Sequence, residues 1–218
     1  PMANAFEIGP DGKLYFPVMG TNEIWRVNLD GSECEVVAGD LGVPDSVKFD
    51  SKGRIVTTQM GSGQVLRIDP VSGSRKVLAD IGPGLDNCTF IGDLFVSHTA
   101  GSIHEILAPG KLRALCDNGL LWPMGLGIAP DGTLLVADGS YAYIGPANGK
   151  VGMAGMLGAP GFPGALRGVA AAGNGAWYVS TSFGEISRWI PAQQESEVLA
   201  EGYDLLMGVA ADSNGRIV

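Results

Sequence analysis

The stretch Pro123–Asp138, which reads Pro-Met-Gly-Leu-Gly-Ile-Ala-Pro-Asp-Gly-Thr-Leu-Leu-Val-Ala-Asp, decides the fold of this chain. Its two apolar runs flank a Pro-Asp-Gly turn, and this arrangement predicts a β-hairpin. Related stretches recur at Asn4–Phe16, Asp45–Thr57, Asp86–Val96, Arg167–Val179 and Met207–Val218. Successive copies begin roughly 40 residues apart, which is the repeat length of four-stranded propeller blades. The repeat therefore predicts a chain built from blades.

We predict an all-β fold, a six-bladed β-propeller of four-stranded blades whose last blade is incomplete in this chain. Five repeats each support four short strands, and the sixth reaches Val218 within its second predicted strand. A circular array of blades is expected to close, because an open edge exposes unpaired backbone groups. Residues 1–218 are accordingly predicted to form a single propeller domain. A five-bladed ring with an additional strand is the alternative.

The composition narrows the classes of partner. The chain has 218 residues, of which 45% are hydrophobic and 17% charged, so it can bury a large core. A net charge of −9 and the lack of a basic run argue against a nucleic-acid partner. No apolar run approaches the roughly 18 residues of a membrane span, so we expect no membrane partner. The three cysteines (Cys34, Cys88 and Cys116) form no CxxC pair, which favours reduced thiols and a cytoplasmic location. A disulfide between two of them is the alternative.

The candidate functional residues are those that begin the innermost strand of each repeat. Loops held by a rigid scaffold commonly carry function, and in a propeller these positions meet at one mouth of the central channel. The positions are occupied by Asn4, Asp45, Asp86 with Asn87, Met124, Arg167 and Met207. Carboxylate and amide oxygens are the ligands that Ca²⁺ prefers, so three successive blades predict a cation site. The alternative is that these residues cap turns, as Asp and Asn often do.

Three further features lie near the predicted channel. His98 ends a predicted second strand and is either a general acid or base or a hydrogen-bonded structural histidine. Glu7 and Lys48 occupy matching positions on adjacent innermost strands, which predicts an ion pair between blades. The stretch Met153–Leu166 departs most from the repeat. It either roofs a pocket at the mouth or fills a gap between blades.

Three short motifs are similar to those of a known superfamily. They are Asn4-Ala-Phe with Gly-Pro-Asp-Gly-Lys-Leu-Tyr-Phe, Pro44-Asp-Ser-Val-Lys-Phe-Asp, and Pro123-Met-Gly-Leu-Gly-Ile-Ala-Pro-Asp-Gly. With them the chain resembles the superfamily of gluconolactonase, regucalcin and luciferin-regenerating enzyme over nearly its whole length. The resemblance implies six blades, a divalent cation at the channel mouth, usually Ca²⁺, and hydrolysis of lactones or other esters.

The resemblance also implies roles for individual residues. Asn4 and Asp45 match two metal-ligand positions of the superfamily, and Asn87 or Asp86 would be the next ligand. Two features of the superfamily have no counterpart in this sequence. One is a Glu ligand from a Glu-Gly-Pro opening in an early blade. The other is the Arg and Asn pattern that binds substrate in the third blade.

The sequence thus predicts a metal-dependent hydrolase of lactones or related small esters. The expected ligands of the Ca²⁺ ion are Asn4, Asp45 and Asn87. The residues expected to carry the chemistry are Asp45, Asp86, His98 and Arg167. One alternative is a non-catalytic, NHL-like propeller that binds a protein or peptide. Another is a lyase with His98 as its base.

Overall fold

The computed structural model describes residues 3–116, 119–147, 149–212 and 214–218, and it contains five four-stranded antiparallel sheets. Blade 1 contains β1 to β4, at Glu7–Ile8, Leu14–Val18, Glu23–Val27 and Glu35–Ala38. Blade 2 contains β5 to β8, at Lys48–Phe49, Ile55–Thr58, Gln64–Ile68 and Arg75–Asp80. Blade 3 contains β9 to β12, at Leu85–Ile91, Asp93–His98, Ser102–Ala108 and Lys111–Cys116. Blade 4 contains β13 to β16, at Pro123–Ile128, Thr133–Asp138, Tyr141–Pro146 and Gly152–Met156. Blade 5 contains β17 to β20, at Leu166–Gly173, Ala176–Thr181, Ile186–Ile190 and Glu195–Ala200.

Strands follow one another in order within every sheet, so each blade is a meander. Two short 3₁₀ turns, Met19–Thr21 and Pro191–Gln193, connect the second and third strands of blade 1 and the third and fourth strands of blade 5. The innermost strands of blades 1 and 2 begin at Glu7 and Lys48, three residues later than the repeat predicts. Alternating apolar residues place the buried side chains on both faces of each sheet, where they meet the next blade.

The hydrophobic core is divided among the spaces between neighbouring blades. One cluster joins blades 1 and 2 around Ile24 and Ile55, and another joins blades 2 and 3 around Val65 and Val96. Corresponding clusters join blades 3 and 4 and blades 4 and 5. The all-β propeller predicted from the repeat is therefore confirmed.

The sequence predicts six blades with the last one incomplete, whereas the described residues form five four-stranded blades. Among the described residues of the last repeat, Ala211 and Ile217 form an isolated bridge, and Ala210 and Val218 exchange two backbone hydrogen bonds. This single hairpin is too short to make a four-stranded ladder. It nevertheless occupies its own position, because its residues 209–211 line the central channel together with the innermost strands of blades 1 to 5.

Glycines set the spacing on one side of the channel. Gly125, Gly168 and Gly208 each follow the residue that begins an innermost segment. A Cβ atom added at Gly125 would lie 2.2 Å from the Arg167 carbonyl oxygen, and one at Gly168 would lie 2.6 Å from the Val209 nitrogen. A Cβ atom at Gly208 would lie 2.8 Å from the carbonyl oxygen of Asn4, in blade 1. The last repeat therefore lies between blades 5 and 1.

The stretch that departs most from the repeat fills a gap rather than roofing the channel. Phe162 packs edge-on against Trp189, with ring centroids 5.3 Å apart. It belongs to the core between blades 4 and 5. Met156 and Leu157 are partly exposed at the surface.

Cys88 is buried, Cys34 is exposed, and no disulfide bond is formed within the described ranges. The helical segments of the described chain are too short and too polar to cross a membrane.

Candidate active site at the channel mouth

The mouth is the end of the channel where the innermost strands begin, and its first feature is a bond between two blades. Asn4 Nδ2 donates a hydrogen bond to Asp45 Oδ1 over 2.5 Å, and both side chains are buried. The backbone fixes both residues, since Asn4 N donates to Pro17 O and Asp45 N donates to Thr58 O. The other carboxylate oxygen of Asp45, Oδ2, is buried without a hydrogen-bond partner. An unsatisfied buried carboxylate oxygen is costly and therefore points to a missing ligand or proton.

Asp86 adds a second carboxylate to the mouth. Burial, followed by the nearby charge of Asp86, raises the pKa of Asp45 well above its usual range. Burial also raises the pKa of Asp86 to about 7, although the positive charge of Arg167 acts in the opposite direction. Asp86 is half-buried, so part of its surface is still exposed. Perturbed carboxyl groups that face one another are typical of functional sites.

Arg167, at the beginning of the innermost strand of blade 5, adds a positive charge near Asp86. Its Nε donates to Ser182 Oγ over 2.9 Å, and its Nη1 contacts Met124 Sδ at 3.0 Å. Arg167 makes no ion pair within 4 Å in the described part of the chain. The guanidinium is held by neutral partners and keeps its charge available for a ligand.

Hydroxyl groups of the second strands hold the mouth residues in place, and sequence reasoning missed them. Ser97 Oγ accepts from Asn87 N at 3.0 Å and donates to Met124 O at 2.9 Å. Thr58 Oγ1 acts in the same way in blade 2, accepting from Ser46 N and donating to the carbonyl oxygen of Asp86. Each hydroxyl thus ties its own innermost strand to that of the next blade. The signal was a Ser or Thr at equivalent positions of the repeat.

Two buried polar side chains fix the loops that lead into the mouth. Gln59 Oε1 accepts from Gly42 N at 2.7 Å, ahead of blade 2. Asp138 Oδ1 accepts from Leu121 N at 2.9 Å and from Trp122 N at 2.5 Å, ahead of blade 4. Asp138 is a buried acid that the sequence analysis did not select. Because its carboxylate caps backbone donors, its role is to position the loop.

Two predicted site residues are engaged locally. Asn87 Oδ1 accepts a hydrogen bond from the following backbone nitrogen, Cys88 N, at 2.9 Å. The His98 Nδ1 accepts from Ala100 N at 3.1 Å, and its ring lies against Gly84. His98 is paired across the two strands with Leu85, the residue before Asp86. Its ring makes no hydrogen bond to the carboxylate of Asp45 or Asp86 in the described structure. Their ligand and proton-transfer roles stay predictions.

The residues present fit a cation site only if amide oxygens contribute. Within the described ranges, no three His, Cys, Asp or Glu side chains come together in a way that could hold a metal. The mouth supplies two carboxylates, Asp45 and Asp86, and the amide of Asn4. The unpartnered Asp45 Oδ2 is the observation that favours a bound cation, because hard cations take oxygen ligands of both kinds.

The opposite end of the channel, which we call the floor, is built differently. A cavity of about 500 Å³ lies there, lined by apolar residues and by Glu7 and Lys48. Lys48 Nζ forms an ion pair with Glu7 Oε2, so the predicted pair between blades is confirmed. Although burial acts to lower it, the charge of Glu7 raises the pKa of Lys48 above its usual range. Because the charges of Glu7 and Lys48 compensate each other, we interpret this pair as a structural link between blades 1 and 2. We therefore place the candidate active site at the mouth.

Comparison with solved structures shows what the fold is similar to. A gluconolactonase from Xanthomonas campestris matches with a TM-score of 0.79 and 13% identity, over 98% of this chain and 80% of that one. Virginiamycin B lyase from Staphylococcus aureus matches with a TM-score of 0.72 and 16% identity, over 96% and 74%. A chain of the nidogen/laminin complex matches with a TM-score of 0.77 and 20% identity, over 94% of this chain and 83% of that one.

No protein-family model matches the sequence, and no curated protein matches it. The solved structures are all below 25% identity to this chain and establish its fold alone. That fold is a β-propeller similar to those of the gluconolactonase, the lyase and the nidogen/laminin chain, as the repeat in the sequence indicated.

Proposed function

We propose that this protein is a metal-dependent hydrolase of lactones or related small esters, acting at the channel mouth. The observation that carries the proposal is the pair of carboxyl groups formed by buried Asp45 and half-buried Asp86, since Asp45 has an oxygen without a partner. Two like charges in a poorly solvated site require a proton or a cation between them. The gluconolactonase and lyase neighbours support an enzyme built on this propeller.

In this proposal Asn4, Asp45 and Asn87 hold a divalent cation, most simply Ca²⁺. When bound, such an ion polarises a carbonyl group and lowers the pKa of a water molecule. Asp86, which is part of the same cluster, accepts a proton from the attacking water. Arg167 stabilises the oxygen that becomes negative as the carbonyl carbon is attacked. Water adds to that carbon, the ring C–O bond breaks, and Asp86 returns its proton to the departing ring oxygen. The product is a hydroxy acid whose carboxylate can pair with Arg167.

The test begins with cation binding. Titration of the EDTA-treated protein with Ca²⁺ should give one site per chain and a higher melting temperature. The protein is then assayed against a panel of lactones and esters. Failure to bind any divalent cation, together with no turnover across the panel, would refute the proposal.

A lyase is the second candidate, because the fold is also that of virginiamycin B lyase. Reaction in ¹⁸O-labelled water separates the two activities. Hydrolysis places one solvent oxygen in the carboxylate product, whereas elimination places none. An unlabelled product whose formation depends on His98 would move the assignment to the lyase.

A binding propeller is the third, favoured by the nidogen/laminin neighbour. It predicts a protein that takes up no cation and turns over no substrate.

We also propose that the ring has six blade positions, supported by the six innermost segments that line the channel. A cytoplasmic location stays a prediction.

A further inference from the structure

Large apolar side chains are exposed in the loop that leads into the innermost strand of blade 4 and in the loop that follows the second strand of blade 5. The exposed fractions are 68% for Leu121, 54% for Trp122 and 60% for Phe183. Tyr203 is exposed to 48%, and its backbone nitrogen donates to Gly184 O beside Phe183. Apolar side chains that are exposed as a group, rather than singly, mark a surface that binds a ligand.

Trp122 and Phe183 are close in sequence to the two residues that contact the Arg167 side chain. Trp122 lies two residues before Met124, whose sulfur contacts Arg167 Nη1. Phe183 directly follows Ser182, whose hydroxyl accepts from Arg167 Nε. The backbones of Trp122 in blade 4 and Phe183 in blade 5 are therefore next to the two residues that hold the guanidinium.

Hydrogen bonds hold the backbone of both aromatic residues in place. Trp122 N donates to the buried carboxylate of Asp138. Phe183 N donates to Thr181 Oγ1 at 3.2 Å, and its ring covers Gly164 so closely that an added Cβ there would lie 2.8 Å from Phe183 Cδ2. A surface that is already ordered loses little conformational entropy when a ligand binds.

We propose that Trp122 and Phe183 form an apolar subsite for the alkyl or aromatic body of an amphiphilic ligand whose carbonyl or carboxylate group pairs with Arg167. The aromatic side chains exclude water from one end of the ligand, and the guanidinium recognises the other. For the reaction class this inference rests on the proposed function. The preferred substrates are then lactones with a long alkyl or aromatic substituent, in place of polyhydroxylated sugar lactones.

Calorimetric titration with two carboxylates tests the subsite without turnover. Decanoate, used below its micelle concentration, should bind at least about tenfold more tightly than gluconate, because only decanoate buries apolar area. Trp122→Ala and Phe183→Ala should each weaken decanoate binding by about tenfold. Val71→Ala is the matched control, since Val71 is an apolar residue exposed to 95% in a turn at the floor end of blade 2.

The melting temperature of each variant is measured so that unfolding is not mistaken for lost binding. Equal affinity for decanoate and gluconate would overturn the inference, as would full decanoate binding by both aromatic variants. Assays with δ-decalactone and δ-gluconolactone separate this inference from the proposed function. Turnover of δ-gluconolactone without preference for δ-decalactone removes the subsite and leaves the hydrolase. Decanoate binding that depends on Trp122 and Phe183, without turnover of any lactone, supports the subsite and removes the hydrolase.

Discussion

At the floor of the central channel Lys48 and Glu7 neutralise each other, whereas at its mouth Asp45 and Asp86 are two acids with raised pKa values. The same repeated scaffold supports both pairs, since each comes from the innermost segments of adjacent blades. In an opposite-charge pair of this kind the two charges compensate each other, so no bound ligand is needed. A like-charge pair with an unpartnered oxygen is not complete, and this difference locates the candidate site.

The largest expected effect comes from removing one charge at the mouth. Asp45→Asn keeps the shape of the side chain and takes away the carboxylate that carries the unpartnered oxygen. We expect Ca²⁺ affinity and lactone turnover to fall by about 100-fold or more, because hard cations favour charged oxygen ligands. Asp131→Asn, in the exposed Pro-Asp-Gly turn of blade 4, is the control and should retain both. Ca²⁺ binding of unchanged affinity in Asp45→Asn would place the cation elsewhere.

A second prediction concerns how the free energy of unfolding depends on pH, because the pKa of Asp86 is raised. Folding raises the pKa of Asp86 from 3.8 to about 7, so the folded state holds this proton more tightly than the unfolded state. The resulting stability is complete below about pH 4 and is lost as pH rises through about 7, with about 4 kcal/mol as the upper limit. In EDTA, the free energy of unfolding should therefore fall between pH 5 and 8.

Asp86→Asn should make that fall shallower, because an amide does not titrate in this range. Carboxylates with lowered pKa values, such as Asp50 and Asp69, are ionised in both states above pH 5 and do not contribute. Urea denaturation at each pH gives the measurement. Identical slopes for the two proteins would show that Asp86 is not the group responsible.

The third prediction breaks the floor pair. Lys48→Met leaves Glu7 partly buried without its partner, which should lower the free energy of unfolding by about 2–3 kcal/mol. Adding Glu7→Gln removes the remaining charge and should restore most of the loss. The double-mutant cycle, measured in urea, isolates the coupling between the two residues. Lactone turnover should be little changed, because the pair lies at the opposite end of the channel from the carboxylates. Additive effects would mean that the two charges do not stabilise each other.

The smallest expected effect concerns the hydroxyl groups that tie blades together at the mouth. Ser97→Ala leaves Asn87 N and Met124 O without this partner, which should cost about 1 kcal/mol of stability. Ser97→Thr keeps the hydroxyl and serves as the comparison, although its extra methyl group must be accommodated. Thermal denaturation is sufficient to rank the three proteins. A Ser97→Ala protein as stable as the parent would show that water replaces the hydroxyl.

The fold was predictable to the level of the blade because the repeat records strand lengths and turns directly. The hairpin around the Pro130-Asp-Gly turn is found where the sequence indicates, and so is the pairing of Glu7 with Lys48. Once the repeats are aligned, residues at equivalent positions of adjacent innermost strands, such as Glu7 and Lys48, are expected to be neighbours. The five full repeats predicted the five four-stranded sheets, whereas the last repeat contributes one bridged hairpin among the described residues and not a sixth blade.

Less of the candidate site was predictable. Alignment of the repeats placed Asn4, Asp45 and Asp86 at one mouth, but it could not show which groups bond to one another. The Asn4–Asp45 hydrogen bond and the local engagement of Asn87 depend on side-chain rotamers. Trp122 and Phe183 lie in loops without a repeated pattern, so their positions beside Arg167 became visible only in three dimensions.

The glycines that follow Met124, Arg167 and Met207 constrain how this protein could be altered by directed evolution. Each glycine approaches the backbone of the next blade too closely for any side chain, so these positions should be left fixed in a mutant library. The residue before each glycine carries a side chain at the mouth. It can be changed without altering the close approach of the glycine to the next blade. Randomising Met124 and Met207 therefore offers a way to change ligand preference while the diameter of the channel is preserved.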